Sequence, residues 1–492
     1  MAPDAWLTGW RRLVAAALLG AAAALGQAPW HLYGVTLLAL AGLIWLVSRA
    51  GSARSAFWIG LAAGTGHFAL ALSWIVEPFL IDVARHGWMA PFAVVLLSSG
   101  LALFWALAAA IALRFPRPAL AFVVAFTALE WLRGVILTGF PWAMAGHVWI
   151  GSPVDQLAAL VGPSGLTLLT LLAAALPVAL RWRGLALSTV MLAAAAGFGA
   201  WRLAQPLPAD GAATLRLVQP NAAQSLKWEE TLAREHLDRL LALTAEGAGA
   251  DLTIWPETAV PYMLEYAPSV AGMITDASQG RPVATGIQRE DGALFFNSLR
   301  VLTGTGEELA RYDKHHLVPF GEYVPMGDLA YRWFGITAFA AQAGSTYSAG
   351  PGPAVLDLGP LGRVLPLICY EAVFPRLVNA APERADWMLQ ITNDAWFGIR
   401  TGPFQHLDQA RLRAVEQGLP LIRVANTGVT AVIDARGRIR QALPFGEVGV
   451  LDTTLPAALP PTPYSRTGDL PLVLMLAGLA LLALRRPRVA AH

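Results

Sequence analysis

The sequence is poor in cysteine and in charge, and both shortages exclude whole classes of protein. Cys369 is the only cysteine in 492 residues, which rules out an intramolecular disulfide framework and any metal site built from several cysteines. Only 14% of the residues are charged and 56% are hydrophobic, a balance typical of membrane proteins rather than soluble ones. No basic run interleaved with aromatic residues is present, so we expect no nucleic-acid partner.

Lysine is almost missing as well. Of the 35 basic residues, only Lys227 and Lys314 are lysines. A guanidinium is bulky, forked and never neutral, so a lysine kept in an arginine-rich chain marks a position where arginine is a poor substitute. This makes Lys314 a candidate for a specific role. For Lys227 we favour a solvent-facing or headgroup-binding position.

Long uncharged runs are what the sequence has in abundance. Each is close to the ~20 residues that a helix needs to cross the hydrocarbon core of a membrane. The runs cover 13–30, 32–48, 55–76, 87–113, 118–139, 156–180 and 184–201, with a shorter one at 470–484. We therefore predict eight crossings. Within the fifth run, Glu130 and Arg133 have the i, i+3 spacing of a pair on one helix face, and we favour a structural ion pair over a functional one.

Arginine placement predicts the orientation of these crossings. The arginines cluster in alternate connections, at 11–12, 49–54, 114–117, 181–183 and 485–488. The positive-inside rule then puts both termini in the cytoplasm. The first run also has features of a signal peptide, whose removal would leave seven crossings. Charge alone does not decide, and we favour a retained anchor.

Residues 204–469 have a different sequence pattern, with short strand-like and helical segments in place of long uncharged runs. Short β-type runs such as "TLRLVQPN" (214–221) and "DLTIWPE" (251–257) alternate with helical stretches such as "EETLAREHLDRLLALTAEG" (229–247). Alternation at this length predicts a single α/β domain. The predicted organisation is thus a seven-helix membrane domain at 1–203, an extracytoplasmic α/β domain at 204–469, and a final helix with a cytoplasmic tail at 470–492.

Three polar residues stand at or near the ends of predicted strands in this domain. Glu257 closes "DLTIWPE", Lys314 closes "ELARYDK" and Cys369 comes near the end of "RVLPLICYE". A thiol is a strong nucleophile only as its thiolate, so it needs a base and a positive neighbour. Glu257 is suited to take the proton, and Lys314 to hold the oxyanion of a tetrahedral intermediate. Taken singly, each residue has an ordinary structural explanation.

The motifs around these residues resemble a known superfamily. "WPET" (255–258), "YDKHHLVPFGEYVP" (312–325) and "ICYE" (368–371) are similar to the three motifs of the nitrilase, or carbon–nitrogen hydrolase, superfamily. The resemblance implies a Glu257–Lys314–Cys369 triad on an αββα sandwich. Within the superfamily, a nitrilase-like domain between seven N-terminal crossings and one C-terminal crossing resembles the apolipoprotein N-acyltransferases.

The second resemblance implies a function, a location and partners. The acyl donor would be a membrane phospholipid, and its chain would pass to Cys369 as a thioester. The acceptor would be the N-terminal amine of a diacylated apolipoprotein. We accordingly expect a monomeric, multi-pass enzyme of the bacterial cytoplasmic (inner) membrane, with its catalytic domain on the periplasmic side. We expect no cofactor and no metal, since the adjacent His315 and His316 lack ligand spacing.

Further residues are candidates for supporting or substrate-binding roles, each with a structural alternative left open. The resemblance places Glu322 beside Lys314, gives Tyr370 and Glu371 a part in shaping the pocket, and matches Trp228 to a tryptophan of the family. Asn297 and Trp396 are candidates for the acyl-chain entrance, although core packing is at least as good an explanation. The aromatic stretch 326–350 suits a flap that dips into lipid headgroups, with an ordinary core loop as its alternative.

Two other functions were compared with acyl transfer. A membrane-anchored amidase or nitrilase acting on small amides would keep the triad but leave eight crossings unexplained, because one anchor suffices for a soluble substrate. A transporter with a binding module would be expected to carry polar residues at the membrane midplane. Apart from Glu130 and Arg133 the runs are nearly bare. We reject the transporter and keep the amidase as an alternative.

Overall fold

The structure is a computed structural model that describes residues 9–222, 230–247, 249–325 and 346–485. Its chain separates into two compact units. The first comprises Met1–Gln205, Arg400–Leu412 and Pro461–His492, and the second comprises Pro206–Ile399 and Arg413–Pro460.

The first unit is helical. Its longer helices coincide with the uncharged runs of the sequence, as expected where side chains are apolar on every face. They are Trp10–Ala24, Tyr33–Ser48, Ala53–Ala71, Ala90–Ala112, Pro118–Arg133, Ala158–Ala204 and Leu470–Leu484. Short helices lie between them at Glu77–Leu80, Val83–His86 and Pro463–Thr467.

The helix Ala158–Ala204 is broken at Arg181, where the backbone has a positive φ of 56°. Beyond the break the chain folds back on itself. The hydroxyl of Ser188 donates a hydrogen bond to the carbonyl of Ala173 at 2.9 Å, and a Cβ on Gly184 would collide with the carbonyl of Leu176. The two uncharged runs on either side of Arg181 are therefore separate antiparallel arms.

Length and composition identify fewer membrane spans than the sequence predicts. Among the described residues, two helical stretches are long and apolar enough to cross a membrane, Val83–Ala112 and Pro153–Ala204. The second of these contains both of the arms that meet at Arg181. A third is added if Ala53–Ala71 and Ser73–Leu80, which meet at a bend of 64°, form one broken span. Tyr33–Ser48 and Leu470–Leu484 are shorter apolar helices. The helical membrane region is confirmed, while the count of eight crossings stays a prediction.

The second unit contains two six-stranded sheets within the described residues. The first sheet has the order β12-β1-β2-β3-β4-β5. Its strands are β1 Thr214–Gln219, β2 Leu252–Ile254, β3 Val283–Asp291, β4 Leu294–Leu302, β5 Glu308–Asp313 and β12 Gly449–Thr454. The second sheet has the order β11-β10-β9-β8-β7-β6. Its strands are β6 Leu356–Asp357, β7 Arg363–Ile368, β8 Trp387–Thr392, β9 Leu421–Ala425, β10 Thr430–Ile433 and β11 Ile439–Leu443.

Each sheet has a parallel centre and antiparallel edges. Strands β1, β2 and β3 pair in parallel in one sheet, and β7, β8 and β9 do so in the other. The central strands β2, β8 and β9 are buried along their whole length, as expected for strands covered on both faces. Because the carboxyl ends of parallel strands meet at one edge, residues just after these strands are brought together.

Helices cover the sheets. Leu237 and Leu240 of the helix Glu230–Ala245 pack with Ile274 of Pro268–Ala277 and with Trp255, which follows β2. On the side of the second sheet, Arg413 near the end of the helix Gly402–Gln417 donates a hydrogen bond of 3.2 Å to the carbonyl of Val373, which follows β7. The two sheets meet through contacts such as the hydrogen bond from the Thr430 backbone N–H to Gln219 Oε1, 3.1 Å long. The α/β sandwich predicted from the sequence is thereby confirmed.

Candidate active site

The three residues of the predicted triad lie in loops that follow strands of both sheets. Glu257 follows β2, Lys314 follows β5 and Cys369 follows β7. All three are buried, with 6%, 1% and 5% of their surface exposed. A hydrogen bond of 2.9 Å from the backbone N–H of Asn393, after β8, to Glu257 Oε2 ties the two sheets together at this point.

Lys314 lies between two carboxylates. Its Nζ donates to Glu322 Oε1 at 2.9 Å and is 3.7 Å from Glu257 Oε1. Glu322 is held in turn by the backbone N–H of Val318, which donates to Oε2 at 2.8 Å. The shorter contact binds the ammonium to Glu322, so Glu257 is the carboxylate less committed to it.

The two neighbouring carboxylates keep Lys314 protonated. Burial alone would lower the pKa of the Lys314 ammonium, but the carboxylates of Glu322 and Glu257 outweigh it and hold that pKa above its ordinary value. A permanently charged ammonium is a fixed electrostatic partner for a developing oxyanion rather than a group that exchanges protons.

Asn297, on β4, bridges the same two carboxylates. Its Nδ2 donates to Glu257 Oε1 at 2.8 Å and to Glu322 Oε1 at 3.0 Å. The sequence suggested a place at an acyl-chain entrance or in the core for this residue. The structure puts it inside the polar cluster, where its amide separates two carboxylates that would otherwise repel each other.

Cys369 occupies a tight strand-to-helix turn. It has a positive φ of 52° and begins the short 3₁₀ helix Cys369–Val373 directly after β7. Positive φ is uncommon for a residue with a side chain and clusters at functional sites. Its carbonyl accepts a hydrogen bond of 3.0 Å from Gln390 Nε2, which helps to hold the backbone in this conformation.

The thiol needs help to ionise. Burial raises the pKa of the Cys369 thiol, and the Glu257 carboxylate raises it further, while Lys314 opposes them. The thiol is therefore protonated in the resting site. A carboxylate close to it, with an ammonium nearby, is the arrangement that lets proton removal accompany nucleophilic attack.

Glu371 fastens the cysteine turn to the loop that carries Lys314. Its Oε1 accepts hydrogen bonds from the backbone N–H groups of His315 and His316, at 3.0 and 3.1 Å. The hydroxyl of Tyr312 donates to the same oxygen at 2.8 Å, and the N–H of Ile368 donates to Oε2 at 2.8 Å. Glu371 is fully buried, so it is placed to support the site rather than to meet a substrate.

The other predicted residues are dispersed. Tyr370 is buried, with its ring 4.8 Å from that of Phe374. Trp396 is half-buried in the 3₁₀ helix Asp394–Phe397. Trp228 lies outside the described residues, as does 326–345, which is most of the predicted flap.

Three neighbours of the site were missed from the sequence. Asn393 supplies a backbone donor to Glu257, Tyr312 a hydroxyl to Glu371, and Gln390 an amide to the Cys369 carbonyl. A signal existed for Gln390, because a glutamine within the apolar strand "WMLQIT" needs a buried partner. The backbone donor of Asn393 leaves no trace in a sequence.

The titratable side chains of the site suit acid–base and nucleophilic chemistry. Within residues 9–222, 230–247, 249–325 and 346–485, no group of three or more His, Cys, Asp or Glu side chains is arranged to hold a metal ion.

Comparison with known proteins places this geometry in a family. Residues 19–176 match the model of the apolipoprotein N-acyltransferase N-terminal domain, and residues 214–462 match that of the carbon–nitrogen hydrolases. The apolipoprotein N-acyltransferase of Caulobacter vibrioides is 41% identical over 95% of this chain and 93% of its own. That of Bradyrhizobium diazoefficiens is 39% identical over 97% and 95%.

The chain belongs to the apolipoprotein N-acyltransferase family. Both predicted resemblances are thereby confirmed, and the carbon–nitrogen hydrolase match contains both sheets together with Glu257, Lys314 and Cys369. Among solved structures, an amidase of the nitrilase superfamily from Nesterenkonia aligns with 99% of its own chain and 55% of this one, at 18% identity and a TM-score of 0.39.

Proposed function

We propose that this protein transfers an acyl chain from a membrane phospholipid, through a thioester on Cys369, to the N-terminal amine of S-diacylglyceryl-cysteine on apolipoproteins. The observation that carries the proposal is the 41% identity, over 95% of the chain, to a protein named apolipoprotein N-acyltransferase. The site supports it, because a buried thiol with a carboxylate and an ammonium is suited to acyl transfer by a covalent route.

The first half-reaction forms the thioester. Glu257 removes the proton of Cys369 as the sulfur attacks the ester carbonyl of the phospholipid. The oxygen of the tetrahedral intermediate takes up negative charge near the Lys314 ammonium and a backbone N–H following the cysteine. When the intermediate collapses, the C–O ester bond breaks, and Glu257 returns the proton to the alkoxide of the departing lysophospholipid.

The second half-reaction uses the same groups. The neutral amine of the diacylglyceryl-cysteine attacks the thioester carbonyl, and Glu257 accepts a proton from the nitrogen. The C–S bond then breaks, the amide is released and Cys369 recovers its proton. Two modest steps replace one direct aminolysis of an ester. Burial of the site helps the amine compete, since water would otherwise hydrolyse the thioester.

A membrane substrate also accounts for the helical unit. We propose that the catalytic unit faces the periplasm of the bacterial inner membrane, since the arginines cluster in alternate connections. All three triad side chains come from one chain, which supports a monomer as the working unit. A reporter fused after Ala212 should be active only outside the cytoplasm, and one fused at His492 only inside. The opposite result at either point would overturn the orientation.

Intact mass spectrometry tests the chemistry. The purified protein, incubated with phospholipid alone, should gain the mass of one acyl chain on Cys369 and lose it when a diacylglyceryl peptide is added. Cys369→Ser should show no transfer, because an alkoxide is far harder to form than a thiolate. Cys369→Ala should still be produced and inserted, which separates loss of chemistry from loss of folding.

The amidase alternative has less support, because near-full-length relatives carry the acyltransferase name. It makes a different prediction. Rapid hydrolysis of small amides, with no acyl adduct from phospholipid and no acylated peptide, would favour the amidase and overturn acyl transfer.

A further inference from the structure

A polar network lies behind the nucleophile, within the second sheet. Gln390 and Thr392 of β8 and Arg423 of β9 are fully buried in strands that are otherwise apolar. Gln390 and Arg423 are paired across the two strands. Thr392 is two residues beyond Gln390, so the two side chains share one face of the sheet. Three polar groups on one face of a buried sheet need a common set of partners.

One branch of the network reaches the main chain of Cys369. Arg423 donates from one terminal nitrogen to Gln390 Oε1 at 2.6 Å. Gln390 donates from Nε2 to the carbonyl of Cys369 at 3.0 Å. Since Cys369 has a positive φ of 52°, this branch restrains the one backbone position on which the direction of the sulfur depends.

The other branch reaches the side chain of the nucleophile. The second terminal nitrogen of Arg423 forms a buried ion pair with Asp394 Oδ2, and Asp394 Oδ1 accepts a hydrogen bond of 3.0 Å from the Thr392 hydroxyl. The same hydroxyl acts on the Cys369 thiol, whose pKa it lowers. The guanidinium is fixed by a third contact, from its Nε to the carbonyl of Val429 at 3.2 Å.

The charges around the thiol show what Arg423 balances. Glu257 and Lys314 act on the sulfur from the first sheet, and Asp394 acts on it from the end of β8. Glu371 lies two residues along on the cysteine's own 3₁₀ helix. Asp394 opposes formation of the thiolate, and its carboxylate is paired with Arg423.

We propose that Arg423 is a positioning residue for the nucleophile, holding the Cys369 backbone through Gln390 and neutralising the Asp394 carboxylate beside the sulfur. Arg423 itself touches neither the substrate nor the reacting atoms. The assignment rests on the proposed function, in which Cys369 carries the acyl chain, and it adds a group inside the sheet that sets the charge and direction of that sulfur.

Opposite charge changes give opposite shifts, which a loss of packing would not. Arg423→Gln leaves the Asp394 carboxylate unbalanced and should raise the pH midpoint of Cys369 alkylation by about one unit. Asp394→Asn leaves the guanidinium unbalanced and should lower that midpoint by a similar amount. The double variant should return close to wild type.

The measurement uses the whole chain in detergent micelles. The rate of alkylation by iodoacetamide is followed by intact mass as the pH is raised. Because Cys369 is the only cysteine, subtracting the adducts that form on Cys369→Ala leaves the alkylation of that thiol. Arg216→Gln is the matched control, since Arg216 is also buried and paired with an aspartate, Asp452, in the other sheet. That control should leave the midpoint unchanged.

The proposal that Arg423 neutralises Asp394 is overturned if the pH midpoint of alkylation moves in the same direction in Arg423→Gln and Asp394→Asn. It is also overturned if the midpoint moves in neither variant. If Arg423→Gln fails to fold, the downward shift in Asp394→Asn decides alone. Gln390→Leu tests the other half, because it breaks the link to the Cys369 carbonyl without changing charge. It should slow thioester formation about tenfold with an unmoved midpoint, and unchanged thioester formation would remove the backbone role.

Failure of the proposed function would look different. Wild-type protein that gains no acyl adduct from phospholipid contradicts acyl transfer. The alkylation midpoints, which need no substrate, would still report whether Arg423 and Asp394 set the behaviour of the thiol.

Discussion

Each unit of this chain buries a cluster that joins carboxylates to a cation, and the two clusters differ in charge balance. In the helical unit, Glu130 Oε1 accepts from Nε and from a terminal nitrogen of Arg133 at 3.1 and 3.0 Å, and from Trp105 Nε1 at 3.2 Å. The other terminal nitrogen of Arg133 donates to the carbonyls of Phe140 and Trp142. One carboxylate meets one guanidinium, so the pair that the sequence predicted is formed and electrically neutral.

The cluster in the α/β unit has more negative than positive charge. Around Lys314 stand two carboxylates, and only Glu322 is within hydrogen-bond distance of its Nζ. The second carboxylate, Glu257, is held by Asn297 and by the backbone of Asn393, which orient it without neutralising it. The comparison suggests that a balanced buried pair stabilises the fold, whereas a surplus carboxylate beside a thiol is available as a base.

Removing the surplus carboxylate should give the largest effect. Glu257→Gln cannot take the proton of Cys369 and should lower kcat about 10²–10⁴-fold, the usual contribution of a general base. Glutamine keeps the shape and one acceptor oxygen, so the protein should still fold. Acylation of a diacylglyceryl peptide by the purified variant checks this.

The control is Glu308→Gln, a partly exposed glutamate on β5 paired with Arg300. It should keep activity within about twofold of wild type, as surface pairs contribute little. Near-normal turnover in Glu257→Gln would show that the thiol is deprotonated by another group.

A change of cation at constant charge should come next. Lys314→Arg places a wide guanidinium where the ammonium is 1% exposed and 2.9 Å from Glu322. It should push the acyl carbonyl away from Cys369 and lower kcat about 10²–10³-fold, the loss typical of one oxyanion donor. Its control is Arg311→Lys on the preceding strand β5, since Arg311 is 41% exposed and should tolerate the reverse exchange. If Lys314→Arg keeps its activity within about threefold of wild type, Lys314 supplies only a general positive potential and is not a specific donor to the oxyanion.

Breaking the balanced pair should affect stability and spare the chemistry. Glu130→Gln leaves the buried Arg133 without its counter-ion, which typically destabilises a fold by about 3 kcal/mol. The melting temperature in detergent should fall, while kcat per folded molecule stays within about twofold. A variant of normal stability with more than tenfold lower kcat would mean that Glu130 and Arg133 serve the reaction.

The sequence could single out Glu257, Lys314 and Cys369 as candidates because each lies in a motif that resembles a known superfamily, and their roles as a triad stay a prediction. It could predict the α/β sandwich because strand-like and helix-like runs alternate. It could not predict that Asn297 bridges Glu257 and Glu322, since that contact depends on how loops after different strands meet. The reversal of chain direction at Arg181 could be predicted only indirectly, because the sequence shows two arginines between two apolar runs at that point.

The smallest effect sharpens the comparison within the active site itself. Glu371 is two residues after Cys369, yet both of its oxygens accept hydrogen bonds. The donors belong to Tyr312, His315, His316 and Ile368. Because its oxygens are already engaged by these donors, we expect Glu371, like Glu130, to stabilise the fold rather than to act as a base. Glu371→Gln puts an N–H₂ group against one of these donors and should cost about 2 kcal/mol, a usual value for hydrogen bonds to a charged group.

The pH dependence of that loss separates a charged carboxylate from a merely well-packed side chain. Burial alone would raise the pKa of the Glu371 carboxyl, but His315 and the Ile368 N–H outweigh it and hold that pKa below its ordinary value of 4.5. A lowered pKa in the folded state gives stability that is complete above pH 4.5 and is lost as the pH falls, because the unfolded chain binds the proton first. The melting temperature of Glu371→Gln should therefore lie about 4–8 °C below wild type at pH 7, and the gap should narrow only as the pH falls below 4.5. Glu383→Gln removes an exposed glutamate paired with Arg363. It should melt at the same temperature as wild type both at pH 7 and below pH 4.5. A gap in Glu371→Gln that stays constant with pH would mean that packing, and not the charge of Glu371, holds the cysteine turn to the loop of Lys314.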